Sequence, residues 1–152
     1  MTINTETVRS IFVDADACPV KDDASKLADQ FNIRIIFVAS YQHRMNNPTK
    51  GQWIYVDSDK ESADLYILNH IKKGDILISQ DIGLAGLALP KGVLVISPTG
   101  RKYEESTIQT ALDFRYLAAQ ERKKGRYGKG PKPFQGEDRI RFVELLSSIL
   151  SN

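Results

Sequence analysis

The sequence predicts a single α/β domain: a mostly parallel central sheet of about five strands, flanked by helices in a Rossmann-like three-layer arrangement. Three observations carry this expectation. Short apolar, β-branched runs recur along the chain, helical segments with recognisable caps separate them, and no repeat or composition break divides the 152 residues. Strands that alternate with helices need crossover connections, and such sheets bury both faces of each strand, so the strands read as continuous apolar runs.

The first run, Ile11-Phe12-Val13, stops at Asp14 and reads as a buried strand with Asp14 and Asp16 at its carboxyl end. Pro19 suits the first turn of a helix, and Ala24, Leu27, Ala28 and Phe31 continue at helical spacing. Residues 33–39 read as a second strand and 40–51, with Asn46-Asn47-Pro48, as an exposed loop. Residues 53–56 form a third strand that ends at Asp57. Ser58 or Asp59 then caps a helix running to about Lys73, with Gly74 as its left-handed stop. Ile76-Leu77-Ile78 is a fourth strand ending near Asp81; a short helical stretch at 84–89, a Pro90-Lys91-Gly92 turn and a fifth strand at 93–96 follow.

A longer helix, from Ser106 to about Lys124, has Ile108, Ala111, Leu112, Arg115, Tyr116 and Ala119 on one stripe. A basic, Gly/Pro-rich loop spans about 125–136, and a last helix, about 137–150, packs Phe142, Leu145, Leu146 and Ile149. Residues 1–152 are therefore expected to form one domain.

Composition excludes several classes. Hydrophobic and charged fractions of 41% and 26% match ordinary globular chains. No apolar run approaches the ~18 to 20 residues of a membrane span, and the polar amino terminus does not read as a signal peptide, so no membrane partner is expected. The single cysteine, Cys18, forbids an intrachain disulfide and a multi-Cys zinc site, which suits a cytoplasmic location. The net charge of +2 is small but unevenly spread: from Arg115 to Lys132 the chain carries seven basic residues against Glu121 alone. Oligomeric state is not legible.

In open parallel sheets ligands bind outside the carboxyl ends of the strands, where Asp14, Asp16 and Asp81 are expected to lie. Asp64 joins them from a helix, because Ile67, Leu68 and Ile71 at i+3, i+4 and i+7 turn its face to the sheet. Two carboxylates about 5 Å apart repel by on the order of 3 kcal/mol at an effective dielectric of 20, so four together call for a cation, shared protons or basic partners. All-oxygen ligands suit Mg²⁺ or Mn²⁺; His43 and His70 give no zinc spacing. Glu61 is a further metal candidate, whereas Asp59 reads better as a helix-start charge. Cys18 reads as a small buried thiol, with no histidine placed by sequence to activate it.

Three stretches carry a resemblance: Val13-Asp14-Ala15-Asp16-Ala17-Cys18-Pro19-Val20-Lys21, the run from Gly74 through Ser79-Gln80-Asp81 to Ala85, and Gly130-Pro131-Lys132-Pro133-Phe134 followed by Asp138-Arg139. Together, over about residues 11–150, they resemble the YaiI/YqxD family of uncharacterised bacterial proteins. That family is in turn similar to PIN-domain nucleases, whose acids at the ends of the first and fourth strands and on an intervening helix hold Mg²⁺ or Mn²⁺ for phosphodiester hydrolysis. The resemblance implies a PIN-like domain in which Asp14, Asp64 and Asp81 match those acids. Where relatives of that fold commonly carry an aspartate three residues before the helix acid, this chain has Glu61.

The expected activity is metal-dependent hydrolysis of nucleic acid, RNA being favoured, with Asp14, Asp16, Asp64 and Asp81 catalytic and Glu61 adding a metal ligand. Arg115, Lys123, Lys124, Arg126, Lys129 and Lys132 would engage phosphates, and Tyr127 or Phe134 would stack on a base. Two alternatives stand beside it. The strand followed by Asp-x-Asp also resembles the nucleophile motif of haloacid-dehalogenase-like phosphatases, with Asp14 attacking and Asp16 as acid/base. The third reading is an RNA-binding module of the same fold that does no chemistry.

Overall fold

A computed structural model describes residues 9–59, 61–128 and 132–152. Its elements are β1 (Ser10–Asp14), α1 (Lys21–Gln30), β2 (Arg34–Ser40), β3 (Gln52–Val56), α2 (Ser62–His70), β4 (Ile76–Ile78), α3 (Ile82–Ala88), β5 (Leu94–Ile96), α4 (Glu105–Lys123) and α5 (Gly136–Leu150). All neighbouring strands run parallel, in the order β3-β2-β1-β4-β5. The α/β class, the strand count and the parallel sheet match what the sequence predicts.

Alternation along each strand builds two cores. Ile11, Val13, Ile35, Phe37, Ile76, Ile78 and Ile96 face one side and pack with Leu27 of α1 and with Phe142 and Leu146 of α5. Phe12, Ile36, Val38, Leu77 and Val95 face the other, against Ile67 of α2 and Leu84, Ala85 and Ala88 of α3. The sheet is thus the middle of three layers. The chain leaves β1 toward β2 and β3, then returns across the sheet to place β4 on the opposite edge of β1. The strand order reverses between β1 and β4, the position where open α/β sheets form a crevice.

Several boundaries differ from expectation for local reasons. Pro19 lies before α1, not in it: Cys18 N–H donates to the Ala15 carbonyl at 3.2 Å, and the chain turns through Pro19 and Val20 before the helix begins. Asp59 starts α2, as favoured, since its Oδ1 accepts from the amides of Glu61 and Ser62 and from the Ser62 hydroxyl. That helix stops at His70 instead of about Lys73. Ile71 is extended there, the Lys72 amide goes to Asp75 Oδ2, and Gly74 N–H bonds the Gly92 carbonyl.

α4 departs most. Its periodic stripe predicts a buried face, yet no residue of the helix is fully buried, and Tyr116 is 64% exposed. It meets α3 through Ile108 and Leu112, which sit over Gly86, and through Arg115 beside Gly83.

Candidate functional site

Asp14 and Asp81 reach the β1/β4 crevice by different means. Asp14 is the last residue of β1, and Asp81 follows β4 and caps α3, its Oδ1 accepting from the amides of Gly83 at 2.8 Å and Leu84 at 3.3 Å. Ser79 ties the two together. Its hydroxyl, 1% exposed, donates to Asp14 Oδ2 at 2.9 Å and accepts from the Asp81 amide at 3.0 Å. Sequence reasoning passed over Ser79; the available signal was a small hydroxyl directly after a buried strand, between two strand-end acids.

The remaining acids take distinct places. Asp64, in the first turn of α2, is partly buried; burial pushes its carboxyl up, and the charges of Asp81 and Glu61 add to this while Arg115 opposes it. Glu61 is exposed at the start of α2, and its charge reaches the cluster through Asp64. Asp16 turns toward β2, where its carboxylate accepts from the Ser40 amide at 3.2 Å and lies 2.9 Å from Nδ1 of His43. His43, for which no site role is expected from its position in the sequence, therefore borders the cluster. His70 does not, being stacked on Tyr66.

Burial raises Asp14 most. It drives the carboxyl up to about 6; the Ser79 hydrogen bond pulls it down, and the charges of Asp64, Asp81 and Asp16 raise it further. Tyr103 closes one side: burial, then the Asp81 charge, push its phenol upward. The loop Ala15 to Cys18 forms another wall, with Ala17 at a positive φ of 60° and Lys21 Nζ donating to the Cys18 carbonyl at 2.8 Å. Burial pushes the Cys18 thiol up, away from the reactive thiolate. The resulting cleft, about 240 Å³, is lined by Asp14, Asp16, Ala17, Cys18, Gln80, Asp81 and Pro98.

Among the described residues, one arginine or lysine side chain bonds to a carboxylate of this cluster. Arg115 Nη1, from the middle of α4, donates to Asp81 Oδ1 at 3.2 Å. The other basic candidates are not brought to the acids. Lys123 and Lys124 lie about 12 Å further along the helix axis, and Arg126 pairs with Glu121 at 3.4 Å. Lys132 lines a separate cavity beside α5, and Lys129 falls outside the described residues. Tyr127 is exposed, but Phe134 packs against the core under the Arg139 guanidinium and is not free to stack.

The donor set is chemically suited to a hard cation. Asp14 Oδ1, Asp81 Oδ2 and both oxygens of Asp64 accept no hydrogen bond from the described residues, yet none is sealed from solvent. No three acidic, histidine or cysteine side chains among the described residues close round a single metal position. Mg²⁺ sites commonly use one or two carboxylates and keep the remaining positions for water and substrate phosphate.

Comparison with known proteins gives a consistent relationship. A model of the family described as "uncharacterized BCR, YaiI/YqxD family" matches residues 12–152. The chain is 48% identical to a UPF0178 protein of Bacillus velezensis, covering 100% of this chain and 91% of that one. It is 47% identical to a UPF0178 protein of Bacillus cytotoxicus, covering 97% and 96%, and 46% identical to one of Listeria welshimeri, covering 97% and 99%. No solved structure matches. With the match running through nearly every element of the fold, the chain belongs to the YaiI/YqxD family.

Proposed function

We propose that the protein is a divalent-metal-dependent nuclease, with RNA the favoured substrate and Mg²⁺ or Mn²⁺ the cofactor, working in a PIN-like manner at the β1/β4 crevice. One observation carries the reading: Asp14 and Asp81, from strands far apart in sequence, are joined through Ser79 at the strand-order reversal, with Asp64 close enough to raise Asp14. A structural ion-pair network would place a cation beside Asp14. Here the only cation bonded within the cluster among the described residues is Arg115, and it is bonded to Asp81.

Asp14 and Asp81 would hold one metal ion, with Asp16, Asp64 or Glu61 completing or bridging a second site. The ion would supply positive charge for the phosphoryl oxygens and an acidified water as nucleophile. Ser79 keeps Asp14 and Asp81 in fixed relation. Asp14 meets a proton and a metal at the same carboxylate, so its raised affinity for protons makes metal loading pH-dependent. Arg115 lies beside Asp81 where a substrate phosphate would approach, and can exchange a carboxylate partner for a phosphate one.

The test combines binding and turnover. Calorimetric titration of Mn²⁺ and Mg²⁺ into metal-free protein should show saturable binding that Asp14→Asn abolishes, and cleavage of single-stranded RNA should vanish in an Asp14→Asn/Asp81→Asn double variant. Undiminished cleavage by that double variant would sink the mechanism. Salt-sensitive RNA binding without cleavage in either metal would favour the non-catalytic module.

A further inference from the structure

A cavity of about 540 Å³ lies next to the acidic cleft and is lined by Gln80, Thr99, Arg101, Lys132 and Arg141 together with Pro133 and the first turn of α5. Gln80 borders both spaces, so the two adjoin at the turn after β4. Three cations come to this cavity from three separate segments: the turn after β5, the stretch before α5, and α5 itself.

The frame that presents them is closely fixed. Gly100, at φ 85°, lies so near α5 that a Cβ there would come within 2.5 Å of the Arg141 carbonyl carbon. Ser97 N–H bonds the Arg101 carbonyl at 2.8 Å, and the Arg101 amide donates to Ser97 Oγ at 3.1 Å. Arg141 is partly committed, donating from Nε to the Thr99 carbonyl at 3.3 Å and pairing with Asp138. Arg101 and Lys132 make no ion pair with the described residues. Against these cations stand Glu137 and Asp138; Asp138 is occupied by Arg141 and by the Gln135 amide at 3.0 Å.

A carboxylate-lined cleft beside a cation-lined cavity suits a ligand carrying phosphates along an extended backbone. Repulsion by Asp14 and Asp81 alone would drive such a strand away unless flanking cations held it. Arg115 supplies one flank, from α4 on the α2/α3 face; the cavity supplies the other, from α5 on the opposite face.

We propose that the Arg101–Lys132–Arg141 cavity is a phosphate subsite that grips a single-stranded nucleic acid one or more nucleotides away from the bond held at the acidic cleft. This rests on the nucleic-acid reading above and adds the side from which the strand is held.

The test measures anisotropy of a short labelled single-stranded oligonucleotide across a salt series, with wild type, Arg101→Gln, Lys132→Gln and Arg101→Lys, and cleavage in parallel. Each Gln variant should weaken binding and lower the slope of log K against log salt by about one, and Arg101→Lys should restore the slope. Unchanged slopes in both Gln variants, or no binding by wild type, overturn the subsite. A mononucleotide that competes as well as the oligonucleotide overturns a strand as its occupant. Binding that depends on Arg101 and Lys132 without cleavage in Mg²⁺ or Mn²⁺ leaves the subsite standing and removes the nuclease reading.

Discussion

Arg115 and Asp81 are 34 residues apart in sequence and bonded at 3.2 Å, joining a helix with no fully buried residue to the rim of the sheet. Removing the guanidinium leaves the carboxylates with more uncompensated charge. Arg115→Gln should therefore bind Mn²⁺ more tightly, by about 2–5-fold given the modest worth of half-exposed pairs, while binding single-stranded RNA more weakly. Titration calorimetry and an RNA-binding series on one preparation check both signs; weaker Mn²⁺ binding would show that Arg115 supports the site instead of competing for it.

Two glycines should respond to alanine to different degrees. At Gly83 a Cβ would meet Arg115 Nη1 at 2.8 Å, the far end of a flexible side chain, so Gly83→Ala should shift the guanidinium and cost under about 1 kcal/mol. At Gly100 the clash is with the backbone of α5, at 2.5 Å and 2.6 Å, and φ is positive, so Gly100→Ala should lose more than about 2 kcal/mol. Urea denaturation of the two variants beside wild type gives the comparison.

Asp14 makes stability depend on pH. Its folded carboxyl titrates at about 6, above the unfolded value of about 3.9, so between these the native state holds more protons than the unfolded one. Stability from this group is therefore present in acid, falls as pH rises from about 4 to about 6, and stays lower above that, by roughly 3 kcal/mol at most. Asp14→Asn should be more stable than wild type at neutral pH in chelator, with the difference shrinking toward pH about 4. Mn²⁺ affinity of wild type should weaken as pH falls through about 6. Thermal melts and titrations across that range measure both.

Ser79→Ala removes the hydroxyl that joins Asp14 to the Asp81 amide. The expected cost is about 1–3 kcal/mol, since a buried amide loses its acceptor. Loss of the bond also raises the Asp14 titration further. Carbon-13 NMR of the Asp14 carboxyl follows that change directly; an unmoved titration would show that the hydroxyl does not govern it.

Much of this was readable from residue order, and the exceptions share a cause. Asp14 and Asp81 announced themselves because apolar runs end beside them, and the turn of Asp64 toward the sheet followed from Ile67 and Ile71. What local patterning does not contain is which strands are neighbours, so the bridge by Ser79 and the approach of His43 to Asp16 were invisible until β1 lay between β2 and β4. The α4 stripe misled for a related reason. A periodic apolar face states what a helix can bury, and Tyr116 on that stripe stays 64% exposed.

The strand order also governs how the protein comes into being. β1 is the middle strand yet the first made, and its partner edge for β4 waits until 65 further residues have been synthesised, from Ile11 to Ile76. Until then an apolar edge lies open beside β1, vulnerable to pairing with another chain. Closing that separation costs loop entropy before any β1–β4 contact repays it, which slows the docking of β4. The crevice between Asp14 and Asp81 therefore waits for β4, and a nascent or truncated chain ending before it carries Asp14, Asp16 and Asp64 but neither the Ser79 bridge nor Asp81.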